Sequence, residues 1–348
     1  MGKHRVLATM SAMFFALSVV ALCLAQGSPT GSEIAAFSTL PSLGRGAEAL
    51  AVDAAGTTIV GSAWDRSGLL HAVKWSIESD GSWAITDLPR PPSATSAKAS
   101  GVNNFGDAAG NDFPGTTSHP ILWPATGGFS VLGCADDPGP VSVYGISAGA
   151  QVVVGAAGGA AVWRPGGACR ENLPGGSGAA YAVNGDGTIV GGVANVSSAN
   201  SGVPVRWTNL TGKWQIEPLD SRSGLAFGAN SVGDLAGYVV VPCSLQDGCD
   251  RAMIWYVAGS SRELGTLGGE QSQANDINAN GEVVGSSTSP RVGNTAYFWS
   301  ESLGMMQLPF KGHYAVANAL SDVRPDGTRL VVGADSRQNA VVWVVRNP

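Results

Sequence analysis

The sequence predicts an all-β protein, a seven-bladed β-propeller with four-stranded blades, and three observations carry that expectation. Trp recurs at positions 75, 123, 163, 207, 255, 299 and 343, each time ending a short apolar run: AVKW, PILW, AAVW, PVRW, AMIW, AYFW and AVVW. The intervals are 48, 40, 44, 48, 44 and 44 residues. Upstream of each Trp lies a strand-like segment that closes on Gly, at TIVG (58–61), DAAG (107–110), VVVG (152–155), TIVG (188–191), DLAG (234–237), EVVG (282–285) and LVVG (330–333). Turn chemistry precedes each of these segments, as DAAG, NNFG, SAGA, NGDG, NSVG, NANG and, in the last copy, DVRPDG. An Asx or Ser side chain opens such a turn, and Gly supplies positive φ where the chain doubles back. Self-similarity at a fixed period of this length is the mark of a repeat architecture.

Each repeat reads as four short strands. Strand a carries A-x-x-I/V-N, as in ANDIN (274–278) and AYAVN (180–184), and strand b ends in the Gly segment. Strand c ends in Trp, and strand d is a brief run ending in Leu, as in ITDL (85–88), FSVL (129–132), QIEPL (215–219), SRELG (261–265) and MMQL (305–308). Four strands per period, with almost no helical periodicity, match one propeller blade. The expected blades span 46–89, 97–133, 141–174, 179–220, 224–265, 272–309 and 315–345. The last copy runs out after strand c in VVWVVRNP, while EIAAFSTLPSLG (33–44) holds an isolated strand d at 35–41. Pairing these two ends closes the ring and removes two exposed sheet edges.

Composition agrees with a turn-rich β fold: of 348 residues, 49 are Gly, 44% are hydrophobic and only 13% are charged. The first 25 residues read as a signal peptide, with Lys3, His4 and Arg5 ahead of the apolar stretch VLATMSAMFFALSVVALCLA and with Leu24-Ala25 before Gln26. The domain is therefore expected over 26–348, secreted or periplasmic. The alternatives are an uncleaved anchor, since the apolar run is long enough to span a bilayer, and lipidation at Cys23, against which Leu22 is too large a neighbour. Loss of Lys3 and Arg5 takes the net charge from −6 to −8. A mildly acidic chain without a run of Lys or Arg is a poor partner for nucleic acid, and the mature chain is expected to have no membrane association.

Export makes the cysteines legible. Cys134, Cys169, Cys243 and Cys249 remain after cleavage, an even number in an oxidising compartment. Cys243 and Cys249 flank SLQDG and are expected to staple one loop, with Cys134 joined to Cys169, although four cysteines allow three pairings. CSLQDGC has neither a nearby His nor a second Cys pair at zinc-finger spacing.

ANDINANGEVVG (274–285) admits a second reading, because Asp276, Asn278, Asn280 and Gly281 approach the opening of a calcium loop. The twelfth position from Asp276 is Ser287 rather than a bidentate Glu. The same turn recurs without the acidic set, so turn geometry is the expected reading, no cofactor is expected, and calcium at Asp276, Asn278 and Asn280 is the alternative.

The segment LGTLGGEQSQANDINANGEVVGSS…AYFW (264–299) closely resembles the repeat of the HAF family, predicted bacterial extracellular proteins named for a His-Ala-Phe step before the Trp strand. Here that step reads HAV at 71–73 and AYF at 296–298. The match is strong in the sixth repeat and degenerate elsewhere. The resemblance implies a secreted bacterial protein whose family has no established molecular function.

Catalysis finds thin support. His71 and His119 stand four residues before Trp75 and Trp123, where the repeat places them, and His313 alone falls outside the pattern. His313 comes with no paired Ser, Cys or carboxylate signature. GAAGGAAVW (155–163) lacks the Lys-Ser/Thr ending of a phosphate-cradling loop. The sequons at Asn195 and Asn209 matter only in a glycosylating host.

Binding is the better expectation, and the repeat indicates a face. The a–b turns are tight, whereas the b–c segments vary: SAWDRSGLLHA (62–72), NDFPGTTSH (111–119), GVANVSSANSGVP (192–204), YVVVPCSLQDGCDR (238–251) and SSTSPRVGNT (286–295). Length variation on a constant scaffold is where specificity is built. That face is expected to carry Trp64, Asp65, Arg66, Asp112, Asp247, Arg251, Glu270, Arg291, His313 and Tyr314 as ligand-binding residues for a carbohydrate, peptide or protein. The alternatives are a propeller hydrolase or lyase on extracellular glycans and a purely structural surface protein. The seven periodic residues, Trp75, Trp123, Trp163, Trp207, Trp255, Trp299 and Trp343, are expected to pack between blades as the structural core. Trp64, Trp83 and Trp214 stand outside that set.

Overall fold

The computed structural model describes residues 34–346 apart from 134–139, 150, 167–168, 197–201 and 246–247. The expected export segment therefore lies outside the described residues, as does Cys134 of the second expected disulfide. Among the described residues the regular structure is all strand, arranged as seven four-stranded antiparallel sheets. This is a seven-bladed β-propeller. The a strands are Gly44–Val52, Ser96–Val102, Ser142–Ile146, Gly178–Val183, Gly224–Ala229, Ser272–Ile277 and Ala315–Leu320. Each touches the a strand of the next sheet around the full ring, so the a strands face the axis and the d strands form the rim.

The ring closes between the chain's two ends. Ile34–Thr39 pairs antiparallel with Ala340–Arg346 and completes the seventh blade, with Phe37 opposite Trp343. Their ring centroids lie 5.8 Å apart.

The core is divided into seven clusters, one at each blade interface, and each holds one periodic Trp. Trp75, Trp123, Trp163, Trp207, Trp255, Trp299 and Trp343 are all 0–3% exposed, so each occupies the core position expected of it. In four of them the indole also ties two blades together. Trp75 Nε1 donates to Pro41 O (2.8 Å), Trp123 to Pro89 O (2.6 Å), Trp207 to Pro174 O (2.7 Å) and Trp343 to Pro309 O (2.5 Å). The acceptor follows the Leu that ends strand d of the preceding blade. The other three depart from this pattern, and there Gly133, Asp220 and Gly265 stand in place of that Pro. Nε1 of Trp163 and Trp255 is buried without a partner. Trp299 packs with Ile254, Leu264 and Tyr297, and its ring lies under the Arg262 guanidinium, 5.0 Å from the ring centroid. There a cation over the ring face, rather than a Pro carbonyl at its edge, joins the indole to the preceding blade.

The polar residue ending each A-x-x-I/V-N motif anchors the a–b turn. Asp53, Asn103, Ser147, Asn184, Asn230, Asn278 and Ser321 are all buried. Asn184 Oδ1, for example, accepts the N–H groups of Thr188 (3.0 Å) and Ile189 (2.9 Å). A buried amide without such partners would be costly, which is why the position is Asx or Ser throughout. Neighbouring turns are also bonded to each other, as Asn104 N to Ala148 O (3.0 Å), Gly149 N to Gly185 O (2.8 Å) and Asp322 N to Ala54 O (3.0 Å). Between the sixth and seventh blades, Arg329 grips Glu282 through two bonds of 2.8 and 2.6 Å, with both side chains buried.

Every a strand carries a β-bulge at the same place. Pairing with strand b skips one residue between Ala49 and Ala51, Ala99 and Gly101, Val143 and Gly145, Ala180 and Ala182, Ala226 and Gly228, Ala274 and Asp276, and Ala317 and Ala319. The strand b partner just before each bulge is Gly: Gly61, Gly110, Gly155, Gly192, Gly237, Gly285 and Gly333. A Cβ at any of these would collide with a carbonyl oxygen of strand a, so the bulge and the Gly require each other. In the fourth blade the aligned residue is Gly192, one place beyond the TIVG segment at 188–191, because Val190 rather than Ile189 pairs with Trp207.

The b–c connections are shorter than the sequence indicates. Strands b and c run on as a hairpin, so that 286–289 pair with 293–296, and only 290–292 remain as loop. The first blade behaves likewise, with Thr58–Asp65 and Leu70–Ile77 leaving only 66–69 between them. Much of the length variation is strand extension, because Ser- and Thr-rich segments find ladder partners across the hairpin. Cys243 and Cys249 form the expected disulfide across the b–c connection of the fifth blade, with their Cα atoms 5.7 Å apart.

Candidate functional site

The residues expected to bind ligand are scattered over five blades, and most are occupied locally. Trp64 and Asp65 end the b strand Thr58–Asp65, and Asp65 accepts bonds from Ser67 Oγ (2.7 Å) and Leu69 N (2.9 Å). These bonds hold its carboxyl down at about 2. Arg66 is exposed beside it. Asp112 is fully buried in strand b of the second blade and accepts from His119 Nδ1 at 3.0 Å. Arg251 lies within strand c and pairs with Glu263 at 3.5 Å. Glu270 accepts from Ser244 Oγ at 2.5 Å, linking the fifth and sixth blades, while Arg291, His313 and Tyr314 are exposed. Asp247 lies outside the described residues. None of the described members of this set lines the central channel.

Asp276 lies in strand a of the sixth blade, and Asn278 and Asn280 belong to the a–b turn that follows. Asn278 Oδ1 accepts the N–H groups of Asn280 and Glu282, both at 3.0 Å, and its Nδ2 donates to Glu282 Oε2 (2.8 Å) and Ser321 O (3.1 Å). Its amide is committed to holding the turn. Among the described residues, one His/Cys/Asp/Glu set has metal-ligand separations, Cys243, Cys249 and Glu270, and the cysteines there are already joined to each other.

The channel is where side chains converge. A bulge re-aims a side chain, and here seven successive bulges present Leu50, Ser100, Tyr144, Tyr181, Phe227, Asn275 and Asn318 around the axis. All seven line a cavity of 340 Å3, together with Lys98 and Gln273. Strand a enters from the d–a connection and leaves by the a–b turn, so this cavity lies toward the face that also carries the b–c hairpins. The a–b side of the channel holds a second space of 290 Å3 that the Asp276 and Asp322 positions reach.

The ring of bulged residues is chemically lopsided. Blades three, four and five supply a continuous aromatic arc, with ring centroids 4.6 Å apart for Tyr144 and Tyr181 and 5.1 Å for Tyr181 and Phe227. Tyr238, on strand b, extends the arc at 5.7 Å from Phe227. Burial raises the Tyr181 phenol, with Tyr144 adding to the shift, and burial together with Asp250 pushes Tyr238 up to about 12. Both keep their protons at neutral pH. Blades six and seven supply amides instead. Asn275 Nδ2 donates to Ala317 O (2.9 Å), and Asn318 Nδ2 to Ala49 O (2.8 Å), each bond crossing to the next blade. Gln273 Nε2 donates to Asp250 Oδ2 at 2.6 Å.

Just past the bulge, small residues line the channel at Ala51, Gly101, Gly145, Ala182, Gly228 and Ala319, because neighbouring a strands approach closely there. The sixth blade carries Asp276 instead. Its half-buried carboxylate accepts Leu320 N (3.0 Å) and Ile277 N (2.9 Å). Burial, with a smaller push from Asp322, raises this acid to about 7.

No protein-family model matches the chain, and no curated protein matches it. Solved structures do. The β-propeller domain of the Trilobed protease from Pyrococcus furiosus superposes with a TM-score of 0.56 at 10% identity, covering 86% of this chain and 93% of that one. The structure of U3-55K gives 0.56 at 13% identity over 91% and 100% of the two chains. The WD40 repeats of RRP9 give 0.54 at 14% identity over 91% and 99%. At these identities the likeness is one of architecture, and it establishes the β-propeller fold.

Proposed function

We propose that this protein is a binding or scaffold module, exported through its first 25 residues, whose carbohydrate, peptide or protein ligand enters from the b–c face. The observation that supports this reading is the cavity at the channel mouth, where seven bulged side chains of different chemistry converge on one space. A purely structural ring needs no such convergence, since the blade clusters alone hold the sheets together. Cavities of this size, mostly apolar and aromatic with a few placed polar groups, are the usual form of a small-ligand site.

The test is a glycan and peptide array probed with labelled protein of residues 26–348, followed by product analysis on whatever is retained. Retention without turnover is the expected result. Release of cleaved product would instead support a glycan hydrolase or lyase, and retention of nothing would favour a purely structural surface protein.

A further inference from the structure

We infer that the channel mouth is a carbohydrate site that seats one neutral sugar ring, or the end of a neutral oligosaccharide, against the aromatic arc. This deepens the binding reading above and rests on it. The argument starts from what the cavity wall offers. On one side, Tyr144, Tyr181 and Phe227 form an unbroken aromatic surface spanning three blades, with Tyr144 37% exposed despite its size. A flat apolar partner must cover that surface, and the C–H face of a pyranose is such a partner.

On the opposite side, the wall offers side-chain amides. The amide nitrogens of Asn275, Asn318 and Gln273 each give one of their two N–H groups to Ala317 O, Ala49 O and Asp250 Oδ2. What these side chains have left for a ligand is a carbonyl oxygen and one N–H each, so the matching occupant both donates and accepts hydrogen bonds. A lipid or an aliphatic side chain would leave these oxygens unmatched, which is costly in a desolvated site.

Charge narrows the choice further. The single ionised residue lining the cavity is Lys98, and no carboxylate lines it. A methylated ammonium group would find aromatic faces but no counter-ion among the lining residues. An anionic sugar gains little either, because Lys98 stands 4.0 Å from Glu48 and that charge is already balanced. A neutral polyol meets every requirement, with C–H groups for the rings, hydroxyl donors for the amide oxygens, and hydroxyl acceptors for Ser100 and the tyrosine O–H groups. The volume of 340 Å3 admits a sugar ring at the lower end of the range for ligand pockets.

The test is calorimetric titration of residues 26–348 with cellotriose, maltotriose, mannotriose and chitotriose. Trigalacturonic acid and a trimethyllysine peptide are titrated in parallel. At least one neutral trisaccharide is expected to bind, with affinity reduced tenfold or more in Tyr144→Ala and Phe227→Ala. Phe105→Ala, which removes an exposed aromatic from an a–b turn on the opposite face, is expected to change affinity less than twofold. Should either alanine variant fail to fold, Ser100→Trp, which fills the cavity without removing packing, is expected to abolish binding.

Neutral-sugar binding that is unaffected by all three mouth variants would overturn the site while leaving a binding module. Binding of the trimethyllysine peptide or trigalacturonic acid in place of the neutral sugars would overturn the ligand class. If none of the six probes binds, the inference fails, and the array then decides separately whether the protein binds anything.

Discussion

Trp75→Ala is expected to lower the unfolding free energy by about 3–5 kcal/mol, the range for deleting a large core aromatic. Trp75 is fully buried in the cluster that joins the seventh blade to the first, among Ile59, Val73, Leu330, Val332 and Val342. This is the seam where the two ends of the chain meet. The substitution empties the largest side chain at that seam and leaves Pro41 O without the indole donor that ties the closing segment to the first blade. Neighbouring blades cannot collapse into the gap without shifting the a strands that the turn-to-turn bonds hold in place. Trp299→Ala empties the equivalent place between the fifth and sixth blades and is expected to fall in the same range, although no Pro carbonyl loses a donor there. Trp64→Ala, by contrast, removes a half-buried ring that belongs to none of the seven clusters, and is expected to cost less than about 1 kcal/mol. Urea denaturation of the three variants checks the contrast. Equal destabilisation by Trp64→Ala and the two core variants would show that blade-interface packing is not what sets the stability of the ring.

Asp276 is expected to make the protein more stable as pH falls from 8 to 5, against the usual behaviour of carboxylates. The sign follows from linkage. Its carboxyl titrates near 7 in the folded protein and near its ordinary value of 3.8 when unfolded. Between those values the folded state holds the extra proton, so stability declines as pH rises through this window and is lowest above it. The full effect is on the order of 4 kcal/mol at its limit. Acids such as Asp186 and Asp326, which hydrogen bonds hold below their ordinary range, contribute at lower pH, as their folded-state carboxyls lose protons before this window opens.

Asp276→Asn mimics the protonated acid, and is expected to abolish this part of the pH dependence and to raise the melting temperature at pH 8. The melts are run in chelator, then repeated with calcium. A wild-type profile matching that of Asp276→Asn in chelator would show that the acid is not desolvated as described. Stabilisation by calcium at pH 8 that the variant loses would instead restore the cation reading of Asp276.

The architecture is legible in the sequence because a propeller repeats its constraints. Each blade must bury one large ring at its interface with the preceding blade, so Trp returns at a fixed place, and each a–b turn must satisfy buried backbone N–H groups, so Asx or Ser precedes its tight turn. The closing strand is legible by subtraction, since the last repeat lacks a strand d and the segment Ile34–Thr39 supplies one. What escapes is the channel. In A-x-x-I/V-N the two unspecified positions look like ordinary alternation, yet a bulge there breaks the period of two and turns the first of them, from Leu50 to Asn318, toward the axis. The signal lies in strand b, where Gly inside a strand marks a bulge or a close backbone approach, and the motif shows it only as a strand ending.

The loop-face residues do not converge for a related reason. Ser- and Thr-rich b–c segments look like loops but extend the hairpins, carrying Trp64, Asp65, Asp112 and Arg251 into strands where their neighbours occupy them. Variation among the bulged residues, rather than among the hairpin tips, is where one blade differs chemically from the next inside a shared space.

The most direct measurement is a crystal structure of residues 26–348 soaked with whichever neutral trisaccharide of the panel binds most tightly. The account requires a sugar ring packed on Tyr144, Tyr181 and Phe227, with hydroxyls on the carbonyl oxygens of Asn275 and Asn318. A sugar seated instead on the hairpin tips beside Arg291 or Tyr314, with the channel mouth empty, would contradict it.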